Sequence, residues 1–352
     1  MNYKSALMDL IWRPEGLCVN LGKWHRENPG AVRENSVNGC VELVPEPNCN
    51  CFVADLTDGK VIGDAKLVAT TKNMVLGDVQ FLFGSTCPEG HWILKQRRLR
   101  IPERLVGTAV VVASSNAENY FHWLFDSLPR LLLLELAGYA IDQVDYFLLD
   151  HSRRSFQTES LNHLGIPESK LRRCSKRRVL ECERLIVPSM PGPLGRPPKW
   201  VCKFLRDRFV ADPSAMAERK IYISRQQARG RKILNEGEIL PVLVRHGYEI
   251  VHAENLTFLQ QVQTFAASKA VIAVHGAGMS NIVFARPGTR VLELGSLLHN
   301  NDSFSTLAAN CDLDYHHLYL DSAAGAGNDD TRFANVVVDP LKFERTLEAI
   351  AA

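Results

Sequence analysis

Two series of short apolar runs, each run followed by an amphipathic stretch, flank the segment "PSMPGPLGRPPKW" (188–200). That alternation constrains the fold more than any other feature of the chain. In the first series "TAVVVAS" (108–114), "VDYFLLD" (144–150) and "RLIVPS" (184–189) read as strands, with "SFQTESLNHLG" as a helix between the last two. In the second, "KIYISR" (220–225), "YEIVHA" (248–253), "AVIAVH" (270–275), "RVLELG" (290–295) and "DYHHLYL" (314–320) read as strands. Helices are expected between them, at about 235–246, 256–268, 279–285 and 301–311. Strands that are apolar throughout belong to parallel sheets with helices on both faces. The five prolines of the separating segment cannot donate backbone hydrogen bonds, which places a domain boundary there.

The expected fold class is therefore α/β, with two Rossmann-like doubly wound domains facing each other across a cleft. Residues 1–92 read as a small β-rich or irregular lead-in packed on the N-terminal domain. Residues 93–198 read as the N-terminal Rossmann-like domain and 199–338 as the C-terminal one. A C-terminal helix over 339–352 is opened by Asp339-Pro340.

Composition narrows the partners. A net charge of +2 over 352 residues gives no whole-protein field directed at a polyanion. The basic clusters "KQRRLR" (95–100) and "KLRRCSKRR" (170–178) lack the aromatic interleaving of an RNA-binding surface, so they read as solvated faces and no nucleic-acid partner is expected. Nine cysteines, an odd number scattered along the chain, suit a reducing compartment better than a disulfide framework. Cys40, Cys49, Cys51 and Cys87 lack the two close pairs of a zinc site. The N-terminus has no sustained apolar core, and Arg130 and Glu135 interrupt "LPRLLLLELAGYAI". The expected location is cytoplasmic, with peripheral attachment to a membrane or an assembly complex left open.

The stretch "VIAVHGAGMSNIVFARPGTRVLEL" (271–294) carries the most chemistry. A strand delivers the chain to His275, and Gly276-Ala277-Gly278 forms a loop of permissive backbone. A helix is expected to begin near Met279. Its free N–H groups, with the side chains of Ser280 and Asn281, would suit a diphosphate. No Gly-Lys-Ser/Thr follows, and His-Gly-Ala-Gly is not a dinucleotide fingerprint. A plain tight turn in which His275 caps a neighbour is the alternative. Glu293 ends the next strand, where it would accept the hydroxyls of a ribose or pair with Arg290. Arg225, at the end of "KIYISR", could fork onto phosphate oxygens; Arg229 and Arg231 read as solvent-facing. In "NYFHWLFDSLPRL" (119–131), His122 and Asp126 fall four apart on one helical face, flanked by Trp123 and Phe125. Asp126 reads either as a general base or as a group that satisfies His122 or the backbone.

Together, "NYFHWLFDSLPRL", "YISRQQARGRKILNE" and "VHGAGMSNIVFARPGTRVLEL" resemble the three blocks of glycosyltransferase family 61, over roughly residues 105 to 320. The family includes bacterial capsular-polysaccharide enzymes, plant xylan arabinosyl- and xylosyltransferases, and animal O-linked N-acetylglucosaminyltransferases. The resemblance implies an inverting GT-B enzyme that takes a nucleoside-diphosphate sugar, usually UDP-linked, with no metal and no other cofactor. Its acceptor would be a saccharide or glycoconjugate hydroxyl. His275, Gly276, Ala277, Gly278, Ser280 and Asn281 match the donor-binding block, and Arg225 matches its basic residue. Asn235-Glu236 match the closing Asn-Glu, for which helix capping is the expected role. His122 and Asp126 match the N-terminal block, with Asp126 assigned as the base. Met279 and Ser280 stand where other members often carry Leu and Ser or Thr. A polysaccharide pyruvyl transferase, or a non-catalytic nucleotide- or carbohydrate-binding module, is the alternative. Asp312-Leu-Asp314 spells D-x-D but reads as coincidence.

Overall fold

The computed structural model describes residues 37–43, 45, 50–63, 67–71, 76, 79, 101–175, 178–212, 216–296, 301–322 and 333–351. The cluster at 95–100, Cys49 and Cys87 lie outside them. The chain divides into two compact units, Met1–Leu194 and Gly195–Ala352, and the division falls inside the proline-rich segment.

The sheet of the first unit contains β1 (Val37–Leu43), β2 (Cys51–Ile62), β3 (Leu67–Ala69), β4 (Glu103–Val111), β5 (Tyr146–Leu149), β6 (Leu171–Arg173) and β7 (Val179–Pro188). Its order is β1-β2-β7-β4-β5-β6, with β3 on β2. The pairs β7·β4, β4·β5 and β5·β6 are parallel, while β2 runs antiparallel to β1, β3 and β7. The sheet is thus mixed rather than wholly parallel. Strands β1 to β3, expected as a lead-in resting on the domain, are built into its sheet. The reason is edge protection: β7 would otherwise expose a row of unpaired backbone groups, and the long β2 covers it from Val53 to Ile62. The runs Val110–Val111, Phe147–Leu149 and Ile186–Val187 are fully buried, as strands covered on both faces must be. A short helical turn (Tyr120–His122), a π-turn (Trp123–Ser127) and helix α1 (Arg130–Leu136) link β4 to β5. Helix α2 (Ser155–His163) links β5 to β6.

In the second unit the strands are β8 (Arg219–Ile223), β9 (Glu249–Val251), β10 (Ser268–Val274), β11 (Arg290–Ser296), β12 (Asp314–Ser322) and β13 (Val336–Val337). The order is β13-β12-β11-β10-β8-β9, parallel except for the edge pair β12·β13. The helices are α3 (Lys199–Phe209), α4 (Glu236–Arg245), α5 (Phe258–Ala266), α6 (Ser303–Asn310) and α7 (Pro340–Ala351). Sequence patterning places β8 to β12 and α4 to α7 to within a few residues, while the two-residue edge strand β13 has no counterpart in that reading. One face packs Tyr222, Ile272, Leu292 and Leu318 against Leu243 of α4 and Phe343 of α7. On helices α3 and α5, Phe209 and Phe258 meet edge to face, and both lie near Phe284. Thr257 and Gln260 close a reciprocal capping box at the start of α5, a device worth about 1 kcal/mol. Asp339 accepts from Leu341 N and Lys342 N ahead of α7.

Chain progression in this sheet reverses between β8 and β10. Beyond the carboxyl ends of two such parallel strands the flanking loops turn away to opposite sides and leave a crevice, the usual ligand position in open α/β sheets. The residues that follow β8 and β10 are the Arg225 segment and the His275 loop.

Candidate functional site

Register explains which side chains meet at that end of the second unit. Ile223, Ala273, Glu293 and His317 are cross-strand neighbours on successive strands. Side chains alternate along a strand, so Arg225 and His275, each two residues past a member of that row, belong to the same face. His275 and Glu293 are accordingly in contact: His275 Nδ1 lies 2.5 Å from Glu293 Oε1. The other carboxylate oxygen accepts from Tyr315 OH at 2.5 Å. Both partners are deeply buried, at 6% and 2% exposure. Glu293 is therefore engaged on both oxygens within the unit, by His275 and by Tyr315. The alternative partner, Arg290, lies against Asp314 instead. Burial and the Glu293 charge both push the Tyr315 hydroxyl well above its ordinary range, so it stays a donor.

His317 belongs to the same cluster. A Cβ on Gly295 would fall 2.8 Å from His317 Nε2, so the absence of a side chain there makes room for the imidazole. Burial and the neighbouring His275 lower the His317 pKa, against the pull of Glu293.

Two arginines border the loop. Arg225 Nη2 donates to Gly230 O at 3.2 Å, while its Nε is buried with no hydrogen-bond partner. Burial, then the charge of Arg231, pushes its pKa down to about 10, and Glu254 offsets this only in part. Arg231 takes a left-handed backbone conformation (φ 56°) that turns it back into the unit. Its Nε is likewise buried and unpartnered, burial lowers its pKa, and Glu293 pulls the other way. Sequence reading placed Arg231 in solvent beside Arg229; only Arg229 is exposed. The left-handed φ that redirects Arg231 leaves no mark in residue type, so no sequence signal exposes it. An anion placed against two mutually repelling cations with unsatisfied donors would relieve both the repulsion and the missing bonds.

The loop between them differs from expectation in three respects. Gly276 has φ 167°, extended backbone open to any residue, so its role is space. A Cβ there would overlap the Arg225 guanidinium, with Cζ 2.7 Å away. Gly278 meets no such obstacle. The following helix is a 3₁₀ segment, Ala277–Phe284, in which Met279 N already donates to Gly276 O. Asn281 Nδ2 donates to Gln261 Oε1 and Gly278 O, which ties the loop to α5. Ser280 is fully buried and its Oγ has no hydrogen-bond partner.

The Asn235-Glu236 pair supports the Arg225 segment from below. Asn235 makes no side-chain cap; it exchanges hydrogen bonds with Val338 N and O instead. Glu236 is buried and accepts from Tyr222 OH (2.6 Å) and Ser224 Oγ (3.2 Å), on either side of Ile223 at the end of β8. Asp314 of the D-x-D opens β12 opposite Arg290, while His317 stands opposite Glu293 in the middle of the ladder.

In the first unit, His122 Nδ1 is 2.6 Å from Asp126 Oδ2, and Asp126 is 4% exposed. Asn119 opens this segment by accepting from Phe121 N, and Ser127 Oγ ties it to Ser114 N at the end of β4. Trp123 is anchored through Nε1 to Ser160 Oγ at 2.9 Å. Arg130, fully buried one turn further on, donates from Nη2 to Val79 O at 2.6 Å; its Nε and Nη1 have no hydrogen-bond partner. Sequence reading passed over Arg130 as a mere interruption of an apolar run. Its position four residues after Asp126 was the available signal.

Among the described residues, one trio could offer ligand atoms to a metal: His246, Glu344 and Glu348. All three lie away from the arginines and histidines above, and Arg245 already pairs with Glu344 at 2.6 Å.

No helix among the described residues is long and apolar enough to cross a membrane. The model of the family described as Glycosyltransferase 61 matches residues 120–292, a span from the Tyr120–His122 turn to Leu292 of β11. Among curated proteins no match was found.

Proposed function

We propose, on the premise that this chain belongs to glycosyltransferase family 61 and is a glycosyltransferase, that it is an inverting, metal-independent GT-B enzyme. Its donor is a UDP-sugar and its acceptor a hydroxyl of a saccharide or glycoconjugate, in cytoplasmic polysaccharide biosynthesis of the capsular type. A glycosyltransferase needs a nucleotide-sugar and an acceptor; the finer choices rest on one observation. Arg225 and Arg231, each partly desolvated and each with an unpartnered Nε, stand at the switch point of the second unit's sheet beside the His275 loop.

In this reading the diphosphate lies against the two guanidiniums. The acceptor oxygen attacks C1 of the sugar from the face opposite the leaving diphosphate, forming the new C–O bond as the old one breaks. The His122–Asp126 pair takes the acceptor proton. Negative charge that builds on the β-phosphate is met by Arg225, Arg231 and His275, with Glu293 stabilising the imidazolium. Each preorganised donor of this kind is worth about 3 kcal/mol in the transition state. Two arginines and a histidine supply the charge neutralisation for which other transferases use a divalent ion.

The test is a thermal-shift panel of UDP-, GDP-, CMP- and dTDP-sugars with and without EDTA. Stabilisation by UDP-sugars that survives EDTA is the expected result. Dependence on Mg²⁺ overturns metal independence, and selective stabilisation by another nucleotide overturns the UDP assignment.

A further inference from the structure

The family resemblance assigns Asp126 of the His122–Asp126 pair as the base. Three features of the first unit favour the other partner. Asp126 is the inner partner, its side chain 6% exposed against 13% for His122. A carboxylate has no hydrogen to give, so the contact at 2.6 Å puts the hydrogen on His122 Nδ1 and leaves the lone pair on Nε2. Behind Asp126 lies Arg130, fully buried, with two nitrogens lacking any partner. Burial pushes the Arg130 pKa down to about 10, and the Asp126 charge offsets this only in part.

A base must be able to accept the proton. Protonating Asp126 would strip Arg130 of its counter-charge and leave an uncompensated buried cation, the costly way to break a buried pair. Protonating His122 adds a cation directly against Asp126, which stabilises it. The backbone is arranged around this order. The π-turn Trp123–Ser127, closed by Leu128 N donating to Trp123 O at 2.9 Å, lies between His122 and α1. Such turns recur at functional sites, where an extra residue re-aims side chains within a helix.

We infer that His122 is the catalytic proton acceptor, and that Asp126 and Arg130 are positioning residues behind it; this rests on the transferase reading above. Asp126 fixes the tautomer and faces the imidazolium that forms, with the buried Arg130 cation behind it.

The test has two arms on the full chain. First, spectra of ¹⁵N-histidine-labelled protein should show a His122 signal in the Nδ1–H tautomer, absent from His122→Ala. In Asp126→Asn the tautomer should switch, because the amide offers Nδ1 a donor. An Nε2–H tautomer in the wild type overturns the inference. Second, UDP release is followed with UDP-sugars and a panel of p-nitrophenyl glycosides as acceptors. His122→Ala should lower kcat by about 100-fold or more, with calorimetric UDP affinity within about twofold. Added imidazole should restore part of the rate. A His122→Ala enzyme near wild-type rate, or Asp126→Ala rescued by formate while imidazole fails on His122→Ala, overturns it. If the wild type releases no UDP from any UDP-sugar, the donor reading falls, and the tautomer still supports or overturns the order of the pair.

Discussion

Each unit holds a histidine whose Nδ1 is held by a buried carboxylate, yet the two pairs are built differently. His122 and Asp126 are four residues apart in one helical segment, and the cation behind them, Arg130, comes from the same stretch. His275, just past the end of β10, and Glu293, in the middle of β11 and not at its end as expected, are 18 residues apart, and the second carboxylate oxygen is held by Tyr315 from a third strand. The first pair is a local device set on the sheet through Ser127. The second is a product of β-register, and one slip of a single residue would turn Glu293 to the opposite face. The first therefore offers an imidazole backed by a carboxylate and a buried cation, suited to moving a proton. The second offers a braced imidazole beside two unsatisfied arginines, suited to meeting an anion.

The largest expected effect separates the pairs by stability. Asp126→Ala leaves Arg130 as a buried, unpaired charge and should cost about 3–5 kcal/mol, visible as a fall in Tm or loss of the folded state. Glu293→Ala removes the acceptor shared by His275 and Tyr315 and should cost about 1–3 kcal/mol. Equal costs in thermal unfolding would remove the distinction between a carboxylate backed by a buried cation and one held by an imidazole and a hydroxyl.

Next come the arginines. Arg225→Ala and Arg231→Ala should each weaken UDP binding by about 10- to 100-fold in calorimetry, the equivalent of one charge-assisted hydrogen bond. Unchanged affinity in both would remove the diphosphate from this loop. Gly276→Ala should weaken UDP binding by about tenfold, since its Cβ displaces the Arg225 guanidinium. Gly278→Ala, whose Cβ would meet only Ile223 and Ala253 at 3.9 and 4.0 Å, should stay within about twofold. Reversal of that order would return the loop to a purely conformational role for its glycines.

The smallest effect comes from a buried carboxylate with no histidine. Burial raises the Asp150 pKa, against hydrogen bonds from Ser152 and Gln157. The folded chain then holds this proton to higher pH than the unfolded chain. The group's stabilising contribution is full below the ordinary carboxylate range and declines as pH rises through the raised value. Asp150→Asn cannot ionise, so its Tm relative to wild type should be higher at pH 7 than at pH 4, by about 1–3 °C. A constant difference across that range would show that Asp150 ionises as an ordinary surface carboxyl does.

Much of this was legible in the residues. The strand and helix positions of the second unit follow from apolar runs and their spacing, because a parallel strand buried on both faces has no other composition open to it. His122 with Asp126, and Arg225 with the His275 loop, were visible as motifs because each is contiguous. Where reading failed, the missing information was three-dimensional. Asn235 was expected to cap a helix and clamps Val338 instead; β1 to β3, expected in a lead-in packed on the domain, are strands of its sheet.

By itself, then, the sequence determined the α/β class, the order of its elements and the contiguous motifs, since those depend on local periodicity and on which backbone each residue tolerates. Tertiary structure alone decided that Glu293 supports His275, that a left-handed residue turns Arg231 inward, that Gly276 yields its space to Arg225, and that Arg130 stands behind Asp126 as a buried cation. Those relations rest on register, burial and close approach between groups, and none of these is written in the residue types of the partners taken one at a time.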